Sequence, residues 1–254
     1  IMLRAKLTIA GSNFIFEHIN ENYSEYLNKE KKLRVIFRGI NIDYFNPKNI
    51  SILKQEKLKQ EWGLSSNNFT ILLPGRLTYW KGQEKFIEAL NILIEDFNIT
   101  NFRAIILGSN QGRKVYSKKL INLIQRYSLN KKVKFIQHCN EMPLAYSLAD
   151  VVVSASIEPE AFGRVSVEAQ SMGKPIIASN IGGSKETVIN KKTGLLYKHD
   201  DPRELAKCLN AVIRLSSDEL KSMGNEGRKN VTKKFDVETM CQSNLKEYKR
   251  LIKN

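Results

Sequence analysis

The chain has 254 residues, of which 42% are apolar, and a formal net charge of +15; that is enough for one large domain, or one and a half, with a sizeable core. No apolar run approaches the roughly 18–20 residues of a membrane-spanning helix, and Cys139, Cys208 and Cys241 lie far apart without metal-ligand spacing, which points to a reducing cytoplasm. A net charge of this size could serve nucleic acid, an anionic membrane surface or an acidic substrate. The basic residues are mostly lysines scattered along predicted helices, as in KQEKLKQ and KKLINLIQR, rather than clustered with aromatics, and that distribution argues against a nucleic-acid partner.

Lys, Asn and Ile are abundant together, as AT-rich coding sequence makes them, and this accounts for much of the charge. A basic face toward anionic lipid is the second cause to consider. The adjacent pair His138–Cys139 does not make a metal site.

The first predicted elements are a short strand at Leu7–Ala10 and a helix over Asn13–Tyr23 with Ser12 as its N-cap. Phe14, Ile15, His18 and Ile19 share one face of that helix, which makes His18 a packing or capping residue. A strand at Leu33–Phe37 leads into RGINIDYFNP. From about Ile50 a second unit alternates helix and strand. A basic amphipathic helix, Ser51–Trp62, precedes the strand Phe69–Leu73 and the Pro74–Gly75 loop. A helix starting near Lys81 then runs through Gln83–Phe97. Arg76 and Lys81 therefore fall at the carboxyl edge of the predicted sheet, where open α/β sheets bind ligands. Arg can grip phosphate oxygens bidentately and Lys acts as a point charge.

The alternation continues through the strand Phe102–Leu107, the loop Gly108–Gly112, the helix Val115–Ser128, the strand Val133–Gln137 and a short helix Met142–Ala149. Helices and β-branched strands in this order specify a doubly wound parallel sheet with right-handed crossovers.

The stretch 150–179, DVVVSASIEPEAFGRVSVEAQSMGKPIIAS, is the most informative. Val151–Val153 reads as a buried parallel strand, and the loop Ser154–Ala161 carries Glu158 and Glu160. A helix begins near Phe162–Gly163 and runs to about Met172, with Glu168 in its second turn. Gly173 stops it, and Lys174–Ser179 is the next strand. The unpaired N–H groups and dipole of such a helix start suit an anion, and Gly163 lets a ligand approach the backbone. Two carboxylates beside it suit hydroxyls, so a ligand carrying both phosphates and hydroxyls, a nucleotide sugar, fits the set. An acidic helix start with one ordinary surface Glu is the alternative from these residues alone.

Beyond it, Gly182–Gly183 precedes a short helix, Ser184–Ile189, and offers another flexible backbone approach. A turn at Lys192–Gly194 leads to the strand Leu195–Tyr197. Two peripheral helices are predicted at Pro202–Leu215, capped by Asp200 or Asp201, and at Ser217–Lys229. A last amphipathic helix, about Val237–Ile252, carries Met240, Leu245, Tyr248 and Leu251 on its apolar face.

EAFGRVSVEAQSMGKPIIASNIGG resembles the signature of retaining glycosyltransferase family 4, whose architecture is the double-Rossmann GT-B fold. The resemblance implies that Glu160 contacts the donor sugar and Glu168 the donor ribose. It implies that Arg76 and Lys81 hold the donor diphosphate, helped by the N–H groups of Phe162, Gly163 and Arg164. Gly75 and the Gly182–Gly183 loop would lie near the donor, and the counterpart of Gly108 lies near the nucleotide in the family. The backbone at Gln137–His138 would face the base. RGINIDYFNP resembles the family's interdomain crossing, with Asn41 where Asp is usual.

On this resemblance the fold class is α/β, a doubly wound, Rossmann-like parallel sheet forming the C-terminal half of a GT-B fold. Residues 1–46 would be a remnant of the N-terminal domain and the crossing, 47–236 the nucleotide-sugar-binding domain, and 237–254 a helix crossing back. The implied reaction transfers a sugar from a UDP- or GDP-sugar to an acceptor hydroxyl with retention, in the synthesis of lipopolysaccharide or another cell-envelope glycan or glycolipid. Arg76, Lys81 and Glu160 would be the catalytic set, with no metal and no cofactor beyond the donor itself. The expected location is cytoplasmic, with peripheral contact at the inner membrane face. The competing readings are a remnant that binds nucleotide sugar without transferring it, a sugar-nucleotide epimerase of the same architecture, and, on charge alone, a nucleic-acid binder.

Overall fold

Short apolar runs ended by Pro–Gly, Gly or Ser turns become strands, and the amphipathic segments between them become the helices that cover both faces. The computed structural model describes residues 5–27 and 33–253. A first small unit is β1 (Thr8–Ala10), α1 (Asn13–Tyr23) and β2 (Leu33–Val35), with the two strands paired in parallel. The Ser12 hydroxyl caps α1 by accepting from the Ile15 N–H. The segment after β2 then turns at Asn41, whose Oδ1 accepts from the N–H groups of Asp43 and Tyr44 at 3.0 and 2.8 Å. Asn thus makes the turn contact that an Asp would make.

The larger unit runs α2 (Ile52–Glu61), β3 (Phe69–Pro74), α3 (Gln83–Glu95), β4 (Phe102–Leu107), α4 (Lys114–Arg126), β5 (Val133–Ile136) and α5 (Met142–Ser147). It continues with β6 (Val151–Ser154), α6 (Arg164–Ser171), β7 (Ile176–Ser179), α7 (Ser184–Thr187), β8 (Gly194–Tyr197), α8 (Pro202–Ile213), α9 (Ser217–Lys234) and α10 (Val237–Lys253). The six strands of this unit form one sheet in the order β5-β4-β3-β6-β7-β8, every pair parallel. The direction of progression reverses between β3 and β6, which opens a crevice beyond their carboxyl ends.

Alternation along the strands divides the core in two. Ile71, Leu73, Ala104, Ile106, Val151 and Val153 face α3, α4 and α8, packing on Phe86, Leu90, Leu120 and Leu209. Leu72, Ile105, Val152, Ile176 and Ala178 face the other layer, with Tyr146, Val167, Val231 and Phe235. Burial on both faces is why these strands read as continuous apolar runs instead of alternating ones. Each fully buried Val or Ile contributes about 1.5–3 kcal/mol relative to exposure. A carboxylate at Val152, which is 0% exposed, would have no charge partner on either face.

Several boundaries differ from the expectation by a few residues, and at two of them the packing shows the reason. The strand after α6 starts at Ile176 because Gly173 and Lys174 close the helix instead, donating their N–H groups to Gln170 and Ala169 carbonyls. Helix α9 extends to Lys234, past the polar stretch where it was expected to end. Asn230 there bonds the Gln170 side chain and the Thr187 carbonyl, and Val231 is fully buried. Helix α2 keeps no buried residue and leaves Ile52 and Leu53 exposed; it is tied down by Lys54–Glu141 and Gln55–Ser147 contacts. Next to α10, Ile40 exchanges backbone hydrogen bonds with Phe235 and Val237, while Leu245, Tyr248 and Ile252 stay exposed.

Candidate functional site

The site is built from the two loops that flank the topological reversal. After β3, the Gly75 N–H bonds the Leu107 carbonyl, and a 3₁₀ turn at Tyr79–Lys81 delivers the Lys81 side chain toward the crevice. After β6, the Ile157 N–H bonds the Trp80 carbonyl at 2.9 Å and ties the second loop to the first. That tie brings Lys81 Nζ to 2.8 Å from Glu160 Oε1, with side chains only 14% and 11% exposed. The ammonium also sits 4.4 Å from the centre of the Trp80 ring, a cation–π contact. The Ser156 hydroxyl donates to the same Glu160 oxygen. Arg76 is exposed at the mouth and makes no side-chain hydrogen bond or ion pair among the described residues.

Helix α6 starts at Arg164, with Gly163 as an N-cap in the left-handed region (φ 82°) and no side chain capping it. A Cβ is strained at that φ, so Gly is the residue that lets the backbone turn into the helix. Phe162 is buried against Phe235, ring centroids 5.6 Å apart. One turn beyond Arg164, Glu168 is buried, and both of its oxygens are held. Arg164 Nε donates to Oε1 at 2.6 Å and the Tyr146 hydroxyl donates to Oε2 at 2.8 Å. Burial first, and the Glu168 charge second, push the Tyr146 phenol well above its ordinary pKa, so it stays a hydrogen-bond donor.

Two adjoining cavities open here. One, of ≈ 460 Å³, is lined by Gly75, Arg76, Lys81, Gly108, Gln137 and His138 on one side and by Tyr146, Glu160, Arg164 and Glu168 on the other. The second, of ≈ 650 Å³, is lined by Arg38, Asn41, Tyr44 and Phe45 from the segment after β2 and by Phe162 and Gly163. Met142, Glu160, Arg164 and Glu168 line both. Nine of the eleven residues singled out from the sequence therefore meet in one place. His138, for which no partner was visible in the sequence, pairs its Nε2 with Asn140 Oδ1 at 2.6 Å. Among the described residues no group of three or more His, Cys, Asp or Glu side chains could hold a metal ion.

Gly182 and Gly183 are the two that stand elsewhere. They line neither cavity and pack behind the 160–162 loop, the Gly183 N–H donating to the Glu160 carbonyl at 2.8 Å. A Cβ on Gly183 would fall 2.4 Å from Phe162 Cα. The close approach these glycines permit in this structure is that of the loop itself.

Sequence reasoning missed Tyr146, Ser156, and a third support for the same loop. Glu186 accepts from the Asn13 and Phe14 N–H groups at the start of α1 (2.8 and 2.7 Å), and Ser12 donates to the Ala161 carbonyl. The small N-terminal unit thus grips the loop that carries Glu160. A carboxylate opposite a helix start was the available signal, but the two lie 172–173 positions apart. The assembled site offers cations for phosphate, buried carboxylates for hydroxyls, and an uncapped helix start between them.

Residues 54–230 match the family described as Glycosyl transferases group 1. An uncharacterised glycosyltransferase of Methanocaldococcus jannaschii is 30% identical over 224 residues, which cover 87% of this chain and 54% of that protein. A crystal structure of a glycosyltransferase from Rickettsia africae ESF-5 superposes with a TM-score of 0.92 at 34% identity, covering 100% of this chain and 65% of that one. The crystal structure of Anabaena HepE in complex with UDP and glucose superposes with a TM-score of 0.85 at 29% identity, over 97% of this chain and 64% of that one. The chain spans about half the length of the curated relatives it matches.

Proposed function

The chain belongs to the glycosyl transferases group 1 family, and on that premise we propose that it binds a nucleoside-diphosphate sugar in the ≈ 460 Å³ cavity. It passes the sugar to an acceptor hydroxyl with retention at the anomeric carbon. The observation that carries this reading is the Lys81–Glu160 pair at 2.8 Å at the topological reversal, with Arg76 beside it and Glu168 across the cavity. The complex of HepE with UDP and glucose supports a uridine donor over a guanosine one.

In this reading the bond between the anomeric carbon and the diphosphate oxygen breaks as the acceptor oxygen closes on the same face, and the acceptor hydroxyl's proton passes to the departing diphosphate oxygen. Negative charge grows on the leaving diphosphate, and fixed positive groups are worth most where charge develops in a water-poor site. Arg76 and Lys81 supply two cations, and the N–H groups at Phe162–Arg164 supply dipoles. Glu160 accepts from a donor-sugar hydroxyl and sets the angle of the sugar. Glu168 accepts from the ribose hydroxyls. The acceptor is a glycan or glycolipid of the cell envelope, and the basic exterior suits an acceptor presented at an anionic membrane surface.

The test is turnover with a panel of UDP- and GDP-sugars and a cell-envelope extract as acceptor, with the anomeric configuration of the product read by NMR. An α-linked product from an α-linked donor supports the reading. A β-linked product overturns retention, and the absence of product with every donor overturns transfer by this chain.

A further inference from the structure

Glu168 is a buried carboxylate whose two oxygens are treated differently. Arg164, which reaches Oε1, is 76% exposed and can follow solvent or ligand. Tyr146, which reaches Oε2 at 2.8 Å, has no exposed surface. Its ring is wedged on α5 with the edge against Phe45, centroids 6.1 Å apart, and Phe45 is itself held by hydrogen bonds from Ser171 and Arg228 to its carbonyl. The phenol cannot swing away without opening this packing. A carboxylate offers about four acceptor directions; a fixed donor on one of them orients the plane of the others.

We propose that Tyr146 is a positioning residue that aligns Glu168 to read ribose hydroxyls, and so sets the preference of the site for ribonucleotide over deoxyribonucleotide donors. This rests on the reading of Glu168 as the ribose contact. The phenol itself touches no ligand hydroxyl in this proposal. It acts by holding one carboxylate oxygen so that the remaining lone pairs face the cavity already ordered. Losing one hydrogen bond to a charged group changes an equilibrium by roughly tenfold or more.

The test is calorimetric binding of UDP and of 2′,3′-dideoxyuridine diphosphate to the wild-type chain, Tyr146→Phe, Glu168→Ala and the double variant. Tyr146→Phe keeps the ring and its packing, and its thermal midpoint is measured alongside. The expected result is that Tyr146→Phe weakens UDP roughly tenfold or more and leaves the dideoxy nucleotide within about twofold. In the Glu168→Ala background the same change has no further effect on UDP. Equal weakening of both nucleotides by Tyr146→Phe, or of neither, while Glu168→Ala still weakens UDP, overturns the positioning role alone. UDP binding that survives Glu168→Ala unchanged, or is absent from the wild type, overturns the ribose reading and this inference with it.

Discussion

Lys81 Nζ and Glu160 Oε1 stand 2.8 Å apart although 79 positions separate the two residues in the chain. The pairing is produced by the Ile157–Trp80 backbone hydrogen bond, which joins the loops after β3 and β6. The two charges satisfy each other, which offsets much of the cost of holding them out of water. In the proposed donor complex the ammonium meets the diphosphate and the carboxylate meets a sugar hydroxyl, so each charge gains a partner as the pair loosens.

Lys81→Ala removes the cation that the proposed function sets against the leaving diphosphate. The expected loss in kcat is about 10²-fold or more, the scale for deleting one preorganised charge-stabilising group, with nucleotide binding weakened as well. Steady-state kinetics check this, and a loss below about fivefold would show that Lys81 serves only the resting pair.

Glu160→Gln separates the sugar end of the site from the ribose end. The amide keeps the shape but loses the charge, so binding of free nucleoside diphosphate stays within about twofold while kcat/KM with the nucleotide sugar falls by roughly 10²-fold. Calorimetry on the free nucleotide beside transfer kinetics gives both numbers. Equal losses in the two would place Glu160 on the nucleotide.

Gly183→Ala forces a Cβ to 2.4 Å from Phe162 Cα, backbone against methyl with no flexible atom to yield. The expected cost is about 1–3 kcal/mol of stability, with activity lost because the 160–162 loop shifts. Urea denaturation measures the first; a variant as stable as the parent would contradict the close packing.

What could be read in the sequence and what could not divides along the range of the interaction. The Ser12 cap, the helix Asn13–Tyr23 and the strand Phe102–Leu107 follow from local chemistry, and the structure places them at the expected residues; the strand before Gly75 runs one residue longer than expected, through Pro74. The alternation of helix and strand was enough to infer the parallel sheet, and the resemblance of one 24-residue stretch pointed to Glu160 and Glu168. Tyr146 on Glu168 and Glu186 on the start of α1 could not be read, because they join residues that only the packed layers bring together. The Gly182–Gly183 step was legible as a close approach, but its partner, the loop at Glu160–Phe162, was not.

Lys174 offers a pH test remote from the loop that carries Glu160. Burial lowers its pKa from the ordinary 10.5, with Asp150 opposing the shift, and its Nζ donates to the Ser147 carbonyl at 3.0 Å. Between the lowered folded pKa and 10.5 the unfolded chain binds more protons than the folded one. This residue's contribution to stability therefore rises with pH through that window, and its charge-burial penalty is full below it. Lys174→Met is expected to raise stability at pH 7 by about 1 kcal/mol and to flatten the rise toward alkaline pH. Denaturant unfolding at both ends of the range reads it, and a less stable variant at pH 7 would mean that the Ser147 contact outweighs the burial cost.

The most direct test of the donor site is calorimetric titration of the chain with UDP and with GDP, using Lys81→Ala and Glu168→Ala as controls. One nucleotide, UDP, should bind, and both substitutions should weaken it, Lys81→Ala through the diphosphate and Glu168→Ala through the ribose. Binding of neither nucleotide, or binding indifferent to both substitutions, would contradict the assignment of this cavity to a nucleotide-sugar donor.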